Sequence, residues 1–255
     1  MFALDSGQTG PALGRWGEAL RAQGGLRGVL VMSPHWMAPG VEVMTNPTPA
    51  TWHDFGGFPE PLYRLQYPAP GAPELARQVL DRLREAGIAA QADPDRPYDH
   101  GAWVPLRHLL PQADVPLLQI ALPAHAGPQE LYALGQALAD LREQGILIVA
   151  SGSMTHNLRE FFVGRPELDE TAAPYVQDFA RWVEDALLTQ DRERLFDYRR
   201  QAPQAARAHP SDEHYLPLYF ALGAAGWGQP GGPAPDYLSR EIMYRYLAMD
   251  TIAFA

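Results

Sequence analysis

The 255 residues predict an α/β fold with a central, mostly parallel sheet flanked by helices. Three observations carry this. Short, continuously apolar runs stand at Gly28–Met32 (GVLVM), Val115–Leu122 (VPLLQIAL) and Ile146–Ala150 (ILIVA). Runs of this length suit strands covered on both faces. Segments of helical periodicity separate them, so that helix and strand alternate. Turn formers mark the joints: Pro73 and Pro128 stand where helices start, Gly87 and Gly145 where they stop.

In chain order, Pro11–Gln23 reads as the first helix and Gly28–Met32 as the first buried strand. Val41–Thr45 and Ile88–Gln91 are weaker strands on either side of a helix at Pro73–Ala86. Gly101–Leu110 and Pro128–Gln144 are helices around the strand Val115–Leu122. After Ile146–Ala150 the periodicity predicts helices at Ala172–Gln190 and Asp191–Arg199. Gly226–Pro235 (GWGQPGGPAP) reads as a surface loop, and the last segment, Glu241–Ala255, reads as either a short helix or a closing strand, with strand favoured after about Tyr244. No linker divides the sequence, so residues 1–255 are expected to form one domain, with ample length for a core.

Composition narrows the function. The net charge is −10, from 30 acidic and 20 basic residues, and no basic patch stands out. That argues against a nucleic-acid partner. The absence of cysteine excludes disulfides, thiolate metal sites and cysteine nucleophiles. Any metal must then be held by His, Asp or Glu. No apolar run is long enough to span a membrane and no signal-peptide pattern opens the chain, so a cytoplasmic location is expected. The GxSxG, HExxH and P-loop patterns are all missing.

Histidine is the residue that could carry chemistry. Eight occur, and a single one is more often a surface or hydrogen-bonded core residue than a ligand. His108 and His125 are read in that way. His35 stands three residues after the first buried strand, and His156 six after Ile146–Ala150. Ligands of open α/β sheets bind beyond the carboxyl ends of the strands. His100 precedes Gly101 at a helix start, and Gly152 suggests a tight turn that aims His156. His214 is placed in the first turn of a helix capped by Ser211, where Asp212 and Glu213 suit the positive helix end. Imidazoles in such loops suit iron, zinc or copper.

Several of these contexts resemble one family in order along the chain: SPHW (Ser33–Trp36), HDFGGFP (His53–Pro59), YPAPGAPELA (Tyr67–Ala76), DHGAW (Asp99–Trp103), SGSMTHNLR (Ser151–Arg159) and EHYLPL (Glu213–Leu218). The sequence is similar to the class III extradiol ring-cleavage dioxygenases of the LigB superfamily, in the DOPA-dioxygenase-like branch. The resemblance implies that His35 and His214 are metal ligands. It gives His156 an acid–base role, with metal ligation also attributed to it. It makes His100 a pocket residue that contacts substrate or oxygen, and sets His53 and Asp54 in a loop lining the substrate site. It also implies a first strand ending in GHGSP, whose histidine is a ligand. This sequence opens MFALDSGQTGPAL, which resembles the family's stretch just after HGSP. The N-terminal strand and that ligand are therefore expected to be missing from these residues, with weakened activity.

The function so implied is iron(II)-dependent extradiol cleavage of a catechol, DOPA-like or otherwise substituted, with O2 as co-substrate. Zinc(II) could occupy the same site. Two rivals use the same residues: a zinc-dependent hydrolase, and a non-catalytic binding protein on this fold. The oligomeric state stays open, a homo-oligomer included.

Overall fold

The computed structural model describes residues 2–254. Seven successive residues of its first strand, Gly28 to Pro34, are buried. Successive side chains of a strand point to opposite faces, so unbroken burial means that both faces are covered. That strand is β1 (Gly28–Ala38). It lies in a sheet with β2 (Val41–Met44), β3 (Ala90–Asp93), β4 (Leu117–Pro123) and β5 (Ile146–Ala150), in the order β3-β2-β4-β1-β5. β1 runs parallel to β4 and β5, and β2 parallel to β3; the β2–β4 pair is antiparallel. The expected mostly parallel sheet is present.

The helices that lead into and between these strands are α1 (Thr9–Gln23), α2 (Glu60–Tyr63), α3 (Pro73–Glu85), α4 (His100–Leu109) and α5 (Pro128–Gln136). After β5 come α6 (Leu158–Gly164), α7 (Pro174–Leu188), α8 (Arg192–Phe196), α9 (Tyr198–Gln201), α10 (Ala205–Ala208) and α11 (Pro217–Ala225). α4 and α11 both pack on β1; α1 packs on α4, and α5 on α11. The short strands β6 (Asp236–Ser239), β7 (Ile242–Met243), β8 (Leu247–Ala248) and β9 (Thr251–Ala253) close the chain as the pairs β6–β9 and β7–β8.

Several expectations need correction. β1 continues past Met32 through His35, with its register against β4 shifted between Met32 and Met37. His35 therefore sits in a distorted strand end, not in a loop. Pro128–Gln144 divides into α5 and a 3₁₀ segment, Ala139–Gln144. Asp191–Arg199 divides at Asp197, which ends α8 and starts α9. His214 lies in a turn that precedes α11, and Ser211 caps nothing: its hydroxyl donates to Glu213 at 3.0 Å. The helix expected around His214 is α11, which starts only at Pro217 and is almost wholly apolar, so it has no amphipathic stripe to mark its bounds. The Gly226–Pro235 loop is anchored by a fully buried Trp227, whose indole N–H donates to Leu187 O at 3.0 Å.

β5 forms one edge of the sheet. Ser151 N–H donates to Met32 O at 2.9 Å, and Arg27 N–H to Gly145 O at 2.8 Å. By strand alternation, the odd-numbered residues of β5 bond to β1. The backbone groups of Ile146, Ile148 and Ala150 face the other way, into a groove of about 880 Å³. Leu13, Trp16 and Leu20 of α1 line it, as do Thr251, Ile252 and Ala253 of β9. Among the described residues no strand precedes β1.

Candidate metal centre

Four of the eight histidines meet at the carboxyl end of the sheet. Their rings form a continuous row, His100–His35–His214–His156, with successive centroids 3.8, 5.0 and 3.5 Å apart. They come from the start of α4, the end of β1, the turn before α11 and the loop after β5. The potential ligand atoms of His35, His100 and Asp54 lie within 4.8 Å of one another, as do those of His156, His214 and Glu213. The donor chemistry fits a divalent ion that prefers nitrogen and oxygen ligands.

Two glycines allow this convergence, through close approach and not through backbone freedom. A Cβ at Gly101 would lie 2.1 Å from Ser33 Oγ and 2.8 Å from the His35 ring. One at Gly152 would lie 2.2 Å from His214 O, and the next N–H, of Ser153, donates to that same oxygen at 2.9 Å. Neither glycine has a positive φ. α4 is thus pressed onto the side chains of Ser33 and His35, and the β5 loop onto the backbone of His214.

Carboxylates orient two of the four rings. Asp54 Oδ1 accepts from both the backbone N–H of His100 at 2.9 Å and its Nδ1 at 2.8 Å. Glu213 Oε1 accepts from His214 Nδ1 at 3.1 Å. A carboxylate acceptor fixes the Nδ1–H tautomer, so in each neutral ring Nε2 carries the free lone pair. Burial pushes the Asp54 carboxyl up, but its bonds to His100 outweigh that and leave it below the ordinary value. The bond to His214, opposed by burial, holds Glu213 down at about 2. Burial first, then the neighbouring His100 and His214, depress His35 to about 3; burial, His214 and His209 do the same to His156. Both rings are therefore neutral at ordinary pH, with lone pairs available.

A buried polar cluster braces this arrangement. Asp99, wholly buried, caps α4 by accepting from Ala102 N–H at 3.1 Å, and takes the Ser33 hydroxyl at 2.7 Å. Arg96 donates to Asp99 and to His35 O, at 3.1 Å in each case. Its guanidinium lies between Trp36 and Trp52, 4.7 and 5.2 Å from their ring centroids. On the other side, the buried ring of His209 donates from Nε2 to Met154 O at 2.8 Å, and His156 N–H donates to Ala208 O at 2.9 Å.

A pocket of about 290 Å³ opens over the row, with His35, His100, His156 and His214 all in its lining. Phe55, Phe58 and Leu62 of the HDFGGFP region also line it. His53 and Asp54 do not line it. His53 faces its own loop, where Nε2 donates to Leu65 O at 3.0 Å and the ring packs on Phe55, Tyr63 and Trp103. Asp54 reaches the pocket only through His100. His108 packs half-buried against Phe2 and His125 is exposed, both away from the row. Sequence reasoning missed Glu213, Arg96 and Ser33 as partners of the site. Glu213 and Ser33 lie within two residues of a site histidine, and that proximity was the available signal; Arg96 had none.

Known proteins of the same kind supply the context. The family model for the catalytic LigB subunit of aromatic ring-opening dioxygenase matches residues 7–250. A 4,5-DOPA dioxygenase extradiol of Beta vulgaris is 41% identical over 201 residues, covering 78% of this chain and 74% of the relative. Its counterpart in Escherichia coli K12 is 36% identical over 206 residues, covering 79% and 74%. The crystal structure of an uncharacterized Escherichia coli K12 protein superposes with a TM-score of 0.75 at 28% identity, covering 94% of this chain and 91% of that one. The histidine row thus stands in a chain that belongs to the LigB family of extradiol aromatic ring-opening dioxygenases, in its DOPA-dioxygenase-like branch.

Proposed function

We propose that the protein is a non-haem iron(II)-dependent dioxygenase that opens the ring of a catechol beside one of its hydroxyls, with O2 as the second substrate. The observation that carries this reading is the row of four histidines beneath a ring-sized pocket, two of them backed by carboxylates. His35 and His214 are read as metal ligands, with His156 next to His214 as a third donor when it is not moving a proton. When bound, the metal supplies charge that lowers the pKa of the catechol hydroxyls and brings ring and oxygen together.

The chain's own groups do the rest. His156, neutral and largely buried, accepts a proton from a substrate hydroxyl and returns it later. His100 has its Nδ1–H committed to Asp54, so Nε2 first accepts a hydrogen bond and donates only once it is protonated. Phe55 and Phe58 present faces and edges to an aromatic ring and keep water away from it. His53 and Asp54 shape the loop that holds these groups. The enzyme is read as a one-domain cytoplasmic protein acting on small molecules; among the described residues no helix is long and apolar enough to cross a membrane.

The test is to load the protein anaerobically with iron(II), and separately with zinc(II), and to follow O2 uptake with a panel of catechols. Uptake coupled to a new yellow, ring-opened product in the iron form alone is the expected result. No uptake with any catechol would sink the reading.

A further inference from the structure

Thr155 is wholly buried, although it stands next to a histidine that faces the pocket. Its hydroxyl makes two bonds to a distant part of the chain. Oγ1 donates to Tyr246 O at 2.8 Å and accepts from Ala248 N–H at 2.9 Å. Both partners belong to the β7–β8 hairpin, whose Ala248 O also receives Met154 N–H at 3.0 Å. Tyr244 and Arg245, which turn this hairpin, have φ of 50° and 63°. Residues with a Cβ adopt such values seldom and at a cost, and they keep them only where the surroundings hold them. Here the segment before α7 does so: Tyr244 N–H donates to Leu168 O at 2.8 Å, and Ala173 N–H to Arg245 O at 3.0 Å. Leu247 and Met249, on either side of Ala248, line the pocket.

The other side of the same segment lies along Arg207–His209. Met154 O receives the His209 ring at 2.8 Å, His156 N–H donates to Ala208 O at 2.9 Å, and Asn157 Nδ2 donates to Arg207 O at 2.7 Å. Met154–Asn157 is thus gripped along both sides. The consequence falls on His156. Carboxylates orient His100 and His214. The His156 ring has no such partner among the described residues and stacks on His214, with centroids 3.5 Å apart. Its backbone must therefore set its reach.

We propose that Thr155 is a positioning residue for His156: its hydroxyl ties the loop after β5 to the strained hairpin and so fixes where the His156 ring stands in the pocket. The inference rests on the proton-transfer role given above to His156. A group that takes and returns a proton must stand within hydrogen-bond reach of it, and a misplacement of about 1 Å costs on the order of 100-fold. Valine keeps the shape of threonine and would deprive Tyr246 O and Ala248 N–H of their shared partner, freeing the loop from the hairpin.

Thr155→Val and Thr155→Ser test this. Each is loaded anaerobically with iron(II) and supplied with a catechol that the parent turns over. In Thr155→Val, kcat should fall about 10–100-fold with KM within about twofold of the parent. Thr155→Ser keeps the hydroxyl and should recover most of that loss. A second measurement needs neither metal nor turnover. In metal-free protein carrying ring-labelled [13C]histidine, the cross-peak that disappears in His156→Gln marks His156. That peak should shift or split in Thr155→Val and coincide with the parent's in Thr155→Ser. An unmoved peak in Thr155→Val would overturn the proposal whatever the turnover, and so would equal damage in both variants. Should Thr155→Val fail to fold, Thr155→Ala is read in the same way. If no form turns over any catechol while the peak still moves in Thr155→Val alone, the dioxygenase reading fails and the positioning of the ring stands.

Discussion

Asp54 holds His100 by two bonds from one oxygen: Oδ1 accepts both the backbone N–H and the ring Nδ1–H. One contact fixes where α4 begins and the other fixes which way the ring faces. Asp54→Ala should therefore lower turnover about 10–100-fold, the usual cost of losing a group that orients an imidazole. Asp54→Asn keeps an acceptor oxygen at the same place and should recover most of that loss. Steady-state kinetics of the two variants decide it, and equal damage in both would contradict the positioning role.

The stacked neighbour of His214 gives a second expectation. With His156 as the proton-transfer group, His156→Gln should retain bound metal but lose about 10²–10⁴-fold in turnover. Metal content by mass spectrometry and O2 uptake on the same sample separate the outcomes. Loss of metal would make His156 a ligand, and unchanged turnover would remove it from the chemistry.

Arg96 ties the metal-site backbone to the buried Asp99. Arg96→Met should fill the space between Trp36 and Trp52, yet leave Asp99 short of its cation and His35 O short of a donor. Removing one member of a buried ion pair typically destabilises by about 3–5 kcal/mol. Asp99 keeps Ser33, Ala102 and Gln119, so the lower end is expected. Urea unfolding measures it, and a change under about 1 kcal/mol would reduce Arg96 to a surface contact.

Legibility from the sequence differs by level. The strands of the central sheet announced themselves because β1, β4 and β5 are apolar runs, which periodicity detects. The four histidines were found from local context: His35 and His156 follow buried strands, His100 precedes Gly101, and His214 stands where a helix was expected to begin. Their company could not be read. Asp54 lies 46 residues from His100, and Arg96 lies 61 from the carbonyl it grips. Such partners are set by packing and leave no local periodicity. The glycines were legible as special and misread in kind: Gly101 and Gly152 are needed for the absence of a side chain against Ser33 and His214.

Asp250, in the lining of the groove beside β5, supplies a pH-dependent expectation. Burial pushes its carboxyl up to about 6; Glu184 adds to the rise and Arg240 opposes it. The folded chain thus keeps this proton to higher pH than the unfolded chain, whose value is near 4. The resulting stabilisation is complete below about pH 4, and is lost as pH rises from about 4 to 6. Asp250→Asn should remove that loss, so the variant gains on the parent across this window by up to about 3 kcal/mol. Denaturation midpoints of both proteins at pH 4, 5, 6 and 7 test it, since their difference cancels the other titrating groups. A constant difference would mean that Asp250 ionises in the folded state as freely as in the unfolded one.

The groove beside β5 has a consequence for the isotope clock of the sheet. Backbone amides of β1 are bonded on both sides, to β4 and β5, and lie where burial is complete. Those of Ile146, Ile148 and Ala150 point into the groove. Deuterium should therefore enter one strand at two rates that alternate with residue number: slowly at Leu147 and Val149, within minutes at Ile148. Any extended segment that came to lie along that edge would make the alternation vanish, slowing Ile148 to match its neighbours.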